Sequence, residues 1–106
     1  LQNRIYGYIG LAMKAGKIKA GEFSTEKSIK GGKARLVLVA EDASDNTIKK
    51  FSNSCLHYKV PFYTFGTKDE LGKIIGKEMR SSLSIEDEGF GKRIIGIMNG
   101  GNADVR

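Results

Sequence analysis

The chain has 106 residues, a single cysteine, a single proline and 40% apolar composition, with 18 Lys and Arg against 12 Asp and Glu. That length admits one core and excludes two independent domains. The lone Cys55 excludes an internal disulfide and a four-cysteine zinc site, and the longest wholly apolar run, Leu36 to Ala40, is far short of the roughly 20 residues that span a bilayer.

Apolar spacing and glycine punctuation divide the chain into alternating elements. Ile5, Ile9, Ala12 and Met13 fall at i, i+4, i+7 and i+8, which predicts an amphipathic helix over about 2–15 closed by Gly16 in a left-handed turn. Lys17 to Ala20 alternates as a short strand does, and Gly21 opens a second helix that runs to Gly31 and Gly32. Leu36 to Ala40 reads as a strand covered on both faces, which requires helices on each side. Asp45 is positioned to cap a third helix carrying Ile48, Phe51, Cys55 and Tyr58, with Pro61 ending it. Phe62 to Phe65 forms a short aromatic strand, and Thr67 with Glu70 makes a capping box for a helix bearing Leu71, Ile74 and Ile75. Ser82 to Ile85 alternates as a strand. The last helix starts near Asp87, buries Phe90, Ile94, Ile97 and Met98, and stops at Gly100 and Gly101. The pattern is that of one α/β layered domain over 1–101 with a small four-stranded sheet between helices, and residues 102–106 are expected to fray. With no bilayer span and no basic-then-apolar leader pattern, the chain reads as a soluble cytoplasmic protein.

The chemical inventory is thin. Cys55 and His57 lie two apart on one predicted helix, about 200° around its axis, so they cannot act as nucleophile and base. His57 has no histidine partner for a metal. Glu41, Asp42 and Asp45 cluster after the second strand, where an α/β enzyme places acid and base groups, but a cap and a solvated loop account for them more simply. Gly16 and Gly21 have the outer spacing of a P-loop, yet Glu22 and Phe23 stand where Lys and Ser or Thr are needed, and Gly89-Phe90-Gly91 follows acidic residues rather than a buried strand. Neither a catalytic group, a cofactor nor a metal is expected.

Charge carries more information. Residues 1–40 hold eight cations and two anions, whereas residues 41–106 hold ten of each, so the whole net charge of +6 lies in the first two fifths. A localised basic zone is the footprint of a polyanion binder. Within it, helix two has one large aliphatic anchor, Ile29, with 22, 25 and 26 on the same side. Phe23 lies about 120° from Ile29, and Lys27 and Lys30 continue its face with Ser24 alongside. An aromatic ring and two ammonium groups thus share one stripe at a helix N-terminus, a combination suited to unpaired bases and phosphates. The alternative is that Phe23 folds under as a hydrophobic staple.

Gly21 through Lys27, Ala34 through Ser44, Val60-Pro61-Phe62, Leu71-Gly72-Lys73 and Gly76-Lys77-Glu78 together resemble the kink-turn RNA-binding superfamily of ribosomal proteins L7Ae and L30e. The likeness covers nearly the whole chain and is nearest to the bacterial YlxQ-like branch. It implies a three-layer α/β/α sandwich with a mixed four-stranded sheet, no catalytic activity, and a grip on kinked RNA by the start of helix two and the loop before the last strand. The family's Gly-x-Asn-Glu element falls on Gly21, Glu22, Phe23 and Ser24, and its following lysine on Lys27. Gly21 and Lys27 match, while Phe23 and Ser24 replace the Asn and Glu. The second element falls on Lys77, Glu78, Met79 and Arg80.

The expected function is therefore non-catalytic binding of structured, kink-turn-like RNA, ribosomal RNA included, by a monomer with ribosomal proteins as further partners and no membrane contact. The alternative on the same fold is a protein-interaction adaptor in ribosome or ribonucleoprotein assembly.

Overall fold

The computed structural model describes residues 2–100, Gln2 by its backbone alone. Nine elements alternate along it: α1 (Gln2–Lys14), β1 (Ile18–Ala20), α2 (Glu22–Lys30), β2 (Leu36–Val39), α3 (Asp45–Tyr58), β3 (Phe62–Thr64), α4 (Lys68–Ile74), β4 (Ser82–Ile85) and α5 (Glu88–Gly100). The sheet order is β1-β4-β2-β3, with β4 antiparallel to both neighbours and β2 parallel to β3. Helices α2 and α3 pack together on one face, and α1 packs on α5 and α4 on the other. The architecture is the mixed three-layer sandwich that the resemblance implies.

The sheet register explains the layers. Leu36 and Leu38 sit opposite Ile85 and Leu83, whereas Val37 and Val39 sit opposite Ser84 and Ser82. Alternation then sends the leucines and isoleucine to one face and the valines and serines to the other. All eight residues of β2 and β4 are buried. An apolar and polar alternation usually marks one wet face, but here the serine face of β4 is covered by α2.

Several boundaries have local causes. Gly16, at φ 74, ends α1 by letting Lys17 N–H reach back to Ala12 C=O at 2.9 Å. Ser44, not Asp45, caps α3: its Oγ accepts from Thr47 N–H at 3.2 Å, which leaves Asp45 in the first turn beside the helix dipole. Pro61 acts on α3 at one remove, because it biases Val60 toward extended backbone and the helix has already closed at Lys59, a left-handed residue with φ 60. Tyr58, expected in the core stripe, is 43% exposed. Phe90 and Met98 are only partly buried on α5, and Ile75 serves as the C-cap of α4. Asp87 Oδ2 accepts from Phe90 N–H at 2.8 Å at the start of α5. The expected stop at Gly101 and the tail 102–106 lie outside the described residues.

The capping box at Thr67 does more than start α4. Thr67 Oγ1 accepts from Glu70 N–H and Glu70 Oε1 accepts from Thr67 N–H, both at 3.1 Å, while Tyr6 of α1 donates its hydroxyl to the same Oε1 at 2.6 Å. The Tyr6 ring rests on Phe65, with centroids 4.9 Å apart. The Tyr6 hydroxyl, followed by the Thr67 amide, holds the Glu70 carboxyl below its usual range. A carboxylate with a lowered folded pKa contributes stability above its unfolded pKa and loses it as pH falls through the folded one. Tyr6→Phe is therefore expected to lower the melting midpoint at pH 7 by a few degrees, with the gap to the parent narrowing as pH falls below about 4. Thermal melts of both proteins across pH 3–8 check this, and a gap that is constant with pH would show that Tyr6 acts by packing alone.

Candidate nucleic-acid interface

Helix α2 has little apolar surface with which to dock, and its attachment is largely polar. Thr25 and Ser28 join Ile29 as its buried residues. Ser82 Oγ donates to Thr25 Oγ1 at 3.1 Å, Ser28 Oγ and Ser84 Oγ are 2.7 Å apart, and Ser28 also donates to Glu86 Oε2 at 2.6 Å. The side of α2 facing α3 is occupied as well: Glu22 pairs with Lys50 at 2.7 Å, and Glu26 Oε2 accepts from Ser54 at 3.3 Å and meets Lys30 at 3.5 Å. What remains outward is Phe23, Ser24 and Lys27. Phe23 is 79% exposed, so it is not folded under as a staple. Lys27 forms no ion pair among the described residues, whereas Lys30, on the predicted stripe, is engaged by Glu26.

The turn into α2 depends on Gly21, whose φ of 96 and ψ of 162 suit only glycine. Its N–H donates to Ser82 C=O at 3.0 Å, which fixes the turn to β4. No side chain caps the helix, so its first amides are open to an anion.

The second predicted element is the loop between α4 and β4. Lys77 N–H donates to Gly72 C=O at 2.8 Å and Arg80 N–H to Lys68 C=O at 3.1 Å, which folds the loop over α4. The Arg80 guanidinium turns back onto the carbonyls of Glu78 and Met79, at 3.2 and 3.0 Å. Met79 is 56% exposed. A cleft of about 410 Å³ has Gly21, Glu22, Phe23 and Ser24 on one wall and Met79 and Arg80 on the other. Six of the ten sequence-predicted residues thus meet at one place. Lys27 follows one turn along α2, while Lys77 and Glu78 are exposed on the loop outside the cleft.

On the other side of Phe23 a second groove, of about 350 Å³, is lined by Lys19, Lys27, Ser28, Lys33 and Glu86 among others. Of these, Lys19, Ser28, Lys33 and Glu86 were not singled out from sequence. Lys19 enters because its register partner is Ser84, which places it on the α2 side of the sheet, and that pairing spans most of the chain.

The remaining candidates for chemistry are accounted for by packing. Burial pushes the Cys55 thiol up to about 12, with the Glu26 charge adding to it. Exposed His57 stacks edge-on against Tyr58 at 4.7 Å. Asp42 Oδ1 accepts from Lys68 N–H at 2.9 Å. Among the described residues no group of three or more His, Cys, Asp or Glu could hold a metal ion, and no helix is long and apolar enough to cross a membrane.

Gly72 lets the loop between α4 and β4 lie directly on α4. A Cβ there would lie 2.1 Å from the Glu78 carbonyl oxygen and 3.0 Å from Met79 Cα, both backbone atoms that cannot swing aside. Gly72→Ala is expected to cost about 1–3 kcal/mol of stability and to displace residues 77–80 while α2 stays in place. Denaturant unfolding with amide chemical shifts checks both parts.

The sequence profile of the ribosomal protein L7Ae/L30e/S12e/Gadd45 family matches residues 3–95. Over 91 residues the chain is 41% identical to the RNA-binding protein YlxQ of Bacillus subtilis, covering 86% of this chain and 91% of that one. It is 36% identical over 90 residues to the large ribosomal subunit protein eL30 of Candida albicans, covering 83% and 85%. A solved structure of a Bacillus halodurans protein of unknown function superposes with a TM-score of 0.86 at 29% identity, over 90% of this chain and 96% of that one. The 15.5kD RNA binding protein of Giardia lamblia has the same fold, with a TM-score of 0.78 at 24% identity over 89% and 83%.

Proposed function

This chain belongs to the ribosomal protein L7Ae/L30e/S12e/Gadd45 family, and from that premise we propose that it is a non-catalytic protein that binds structured, kink-turn-like RNA as a monomer in the cytoplasm, with ribosomal RNA as its natural class of partner. The observation that carries this reading is the cleft in which the uncapped start of α2 faces Met79 and Arg80. Such a cleft combines what a bent RNA presents. The open amides and Lys27 suit phosphates, and Phe23 and Met79 offer exposed apolar surface to unstacked bases. Phe23 and Ser24 occupy the positions where the resemblance expects Asn and Glu, so contact with the RNA there runs through stacking and a hydroxyl.

Phosphate contacts release counterions, and each one adds about 0.7–0.9 to the slope of log affinity against log salt. Titration against a kink-turn, a plain duplex and total ribosomal RNA at two salt concentrations is expected to show binding that weakens as salt rises, with the kink-turn preferred. Absence of binding to all three at low salt would overturn the reading, and binding to a protein partner that ignores salt would favour the adaptor.

Two substitutions test the placement. Lys27→Ala is expected to weaken binding by about 1–2 kcal/mol with stability changed by less than about 0.5 kcal/mol. Phe23→Ala is expected to cost about 1–3 kcal/mol of binding while melting stays unchanged, because the ring is exposed. Lys92→Ala, on α5 and paired with Glu88 at 3.0 Å, serves as the remote control. Equal weakening by the control would mean that the interface lies elsewhere.

A further inference from the structure

The groove on the β1 side of α2 has a charge pattern that a site for phosphate alone would not have. Lys19, Lys27 and Lys33 line it, yet Glu86 lines it with them and forms no ion pair among the described residues. Glu86 is also held in place. Ser28 donates to its Oε2 at 2.6 Å, and Ser28 is in turn 2.7 Å from the hydroxyl of buried Ser84. If Ser28 donates to Glu86, the Ser84 hydroxyl donates to Ser28, so the chain of protons points outward and the carboxylate receives it. A phosphate in the groove would face that carboxylate as a like charge. A neutral group with N–H donors would not.

We propose that this groove holds a single unpaired guanine of the bound RNA, its Watson–Crick edge on Glu86, its ring against Phe23 and its flanking phosphates on Lys19, Lys27 and Lys33. The proposal rests on the RNA-binding reading and adds a base specificity to it. A carboxylate only accepts hydrogen bonds, and it does so with two adjacent oxygens. Guanine is the one base whose Watson–Crick edge presents two adjacent N–H donors, N1–H and the N2 amino group. Adenine and cytosine set an acceptor beside their amino group, and uracil flanks its single donor with carbonyls, so each brings a lone pair against the carboxylate. Phe23 stands at the rim of this groove and of the kink-facing cleft, so one exposed ring can serve a base on this side of α2. The volume of about 350 Å³ lies at the small end of pockets that hold small ligands.

The test uses the full chain and labelled pentanucleotides UUGUU, UUAUU, UUCUU and UUUUU, read by fluorescence anisotropy. The parent is expected to favour UUGUU on the order of tenfold, within the range of a two-bond base contact. Glu86→Gln replaces one acceptor oxygen with a donor, so it is expected to lose the guanine preference and to bind UUAUU, UUCUU and UUUUU more tightly than the parent does, because each of those edges sets a donor beside an acceptor. Lys33→Ala is expected to weaken all four alike and to lower the salt slope. No guanine preference in the parent, or a preference that Glu86→Gln leaves intact, would overturn the proposal. Kink-turn binding without guanine preference would sink this inference and leave the proposed function standing, whereas guanine preference without kink-turn binding would keep this inference and remove only the kink-turn part of the proposed function.

Discussion

The placement of α2 rests on a row of hydroxyls. Thr25 and Ser28 of α2 meet Ser82 and Ser84 of β4 where an apolar seam would be the ordinary solution, and Ile29 is the only large apolar side chain that α2 buries. Net hydrogen bonds contribute about 0.5–1.5 kcal/mol each, less than burial of a large aliphatic side chain, but leaving a buried hydroxyl unmatched costs about 1–3 kcal/mol. Their effect is therefore positional. A helix attached by paired hydroxyls cannot roll or slide by one residue without stranding them, whereas one attached by aliphatic side chains can repack. That fixed roll turns Phe23 and Lys27 outward and keeps Glu22 and Glu26 against α3.

Two glycines carry that rigidity to the two halves of the cleft. Gly21 adopts a backbone conformation closed to other residues and is hydrogen-bonded to the same Ser82 whose side chain holds Thr25, so the turn and the helix share one anchor. Gly72 lets the backbone of Glu78 and Met79 lie directly on α4, and α4 is tied to α1 through Thr67, Glu70 and Tyr6. One wall of the cleft is thus fixed to β4 and the other to the opposite helical layer. The sheet between them determines their separation.

Much of this was legible in the chain as read. The i, i+4, i+7 spacing of α1, the unbroken apolar run of β2 and the Thr67–Glu70 pair are local signals, and local signals survive folding. So does the angular arithmetic that put Phe23 and Lys27 on a face away from Ile29. The misreadings share a different cause. Ser44 and Asp45 are both good caps, and the choice depends on where the loop leaves Ala43, a buried residue. Thr25 shares the side of Ile29 by its spacing, but Ser28 gives no sign of burial until β4 supplies the serines opposite it. Lys19 and Glu86 belong to one groove only because β1 pairs with β4 across most of the chain, a register that no short-range pattern encodes.

Charge shows the same difference between order along the chain and order in space. All the excess positive charge lies in residues 1–40, yet the two carboxylates of that stretch are drawn aside: Glu22 onto Lys50, and Glu26 onto Ser54 and Lys30. The outward face of α2 is therefore more basic than its sequence. The electrically neutral remainder of the chain returns one anion to that face, because β4 ends beside Ser28 and Glu86 follows directly. A surface built for phosphate alone would have no use for a carboxylate braced by two buried hydroxyls among three lysines. Its presence makes the groove amphoteric, and an amphoteric groove discriminates by hydrogen-bonding pattern where a purely basic one attracts any polyanion.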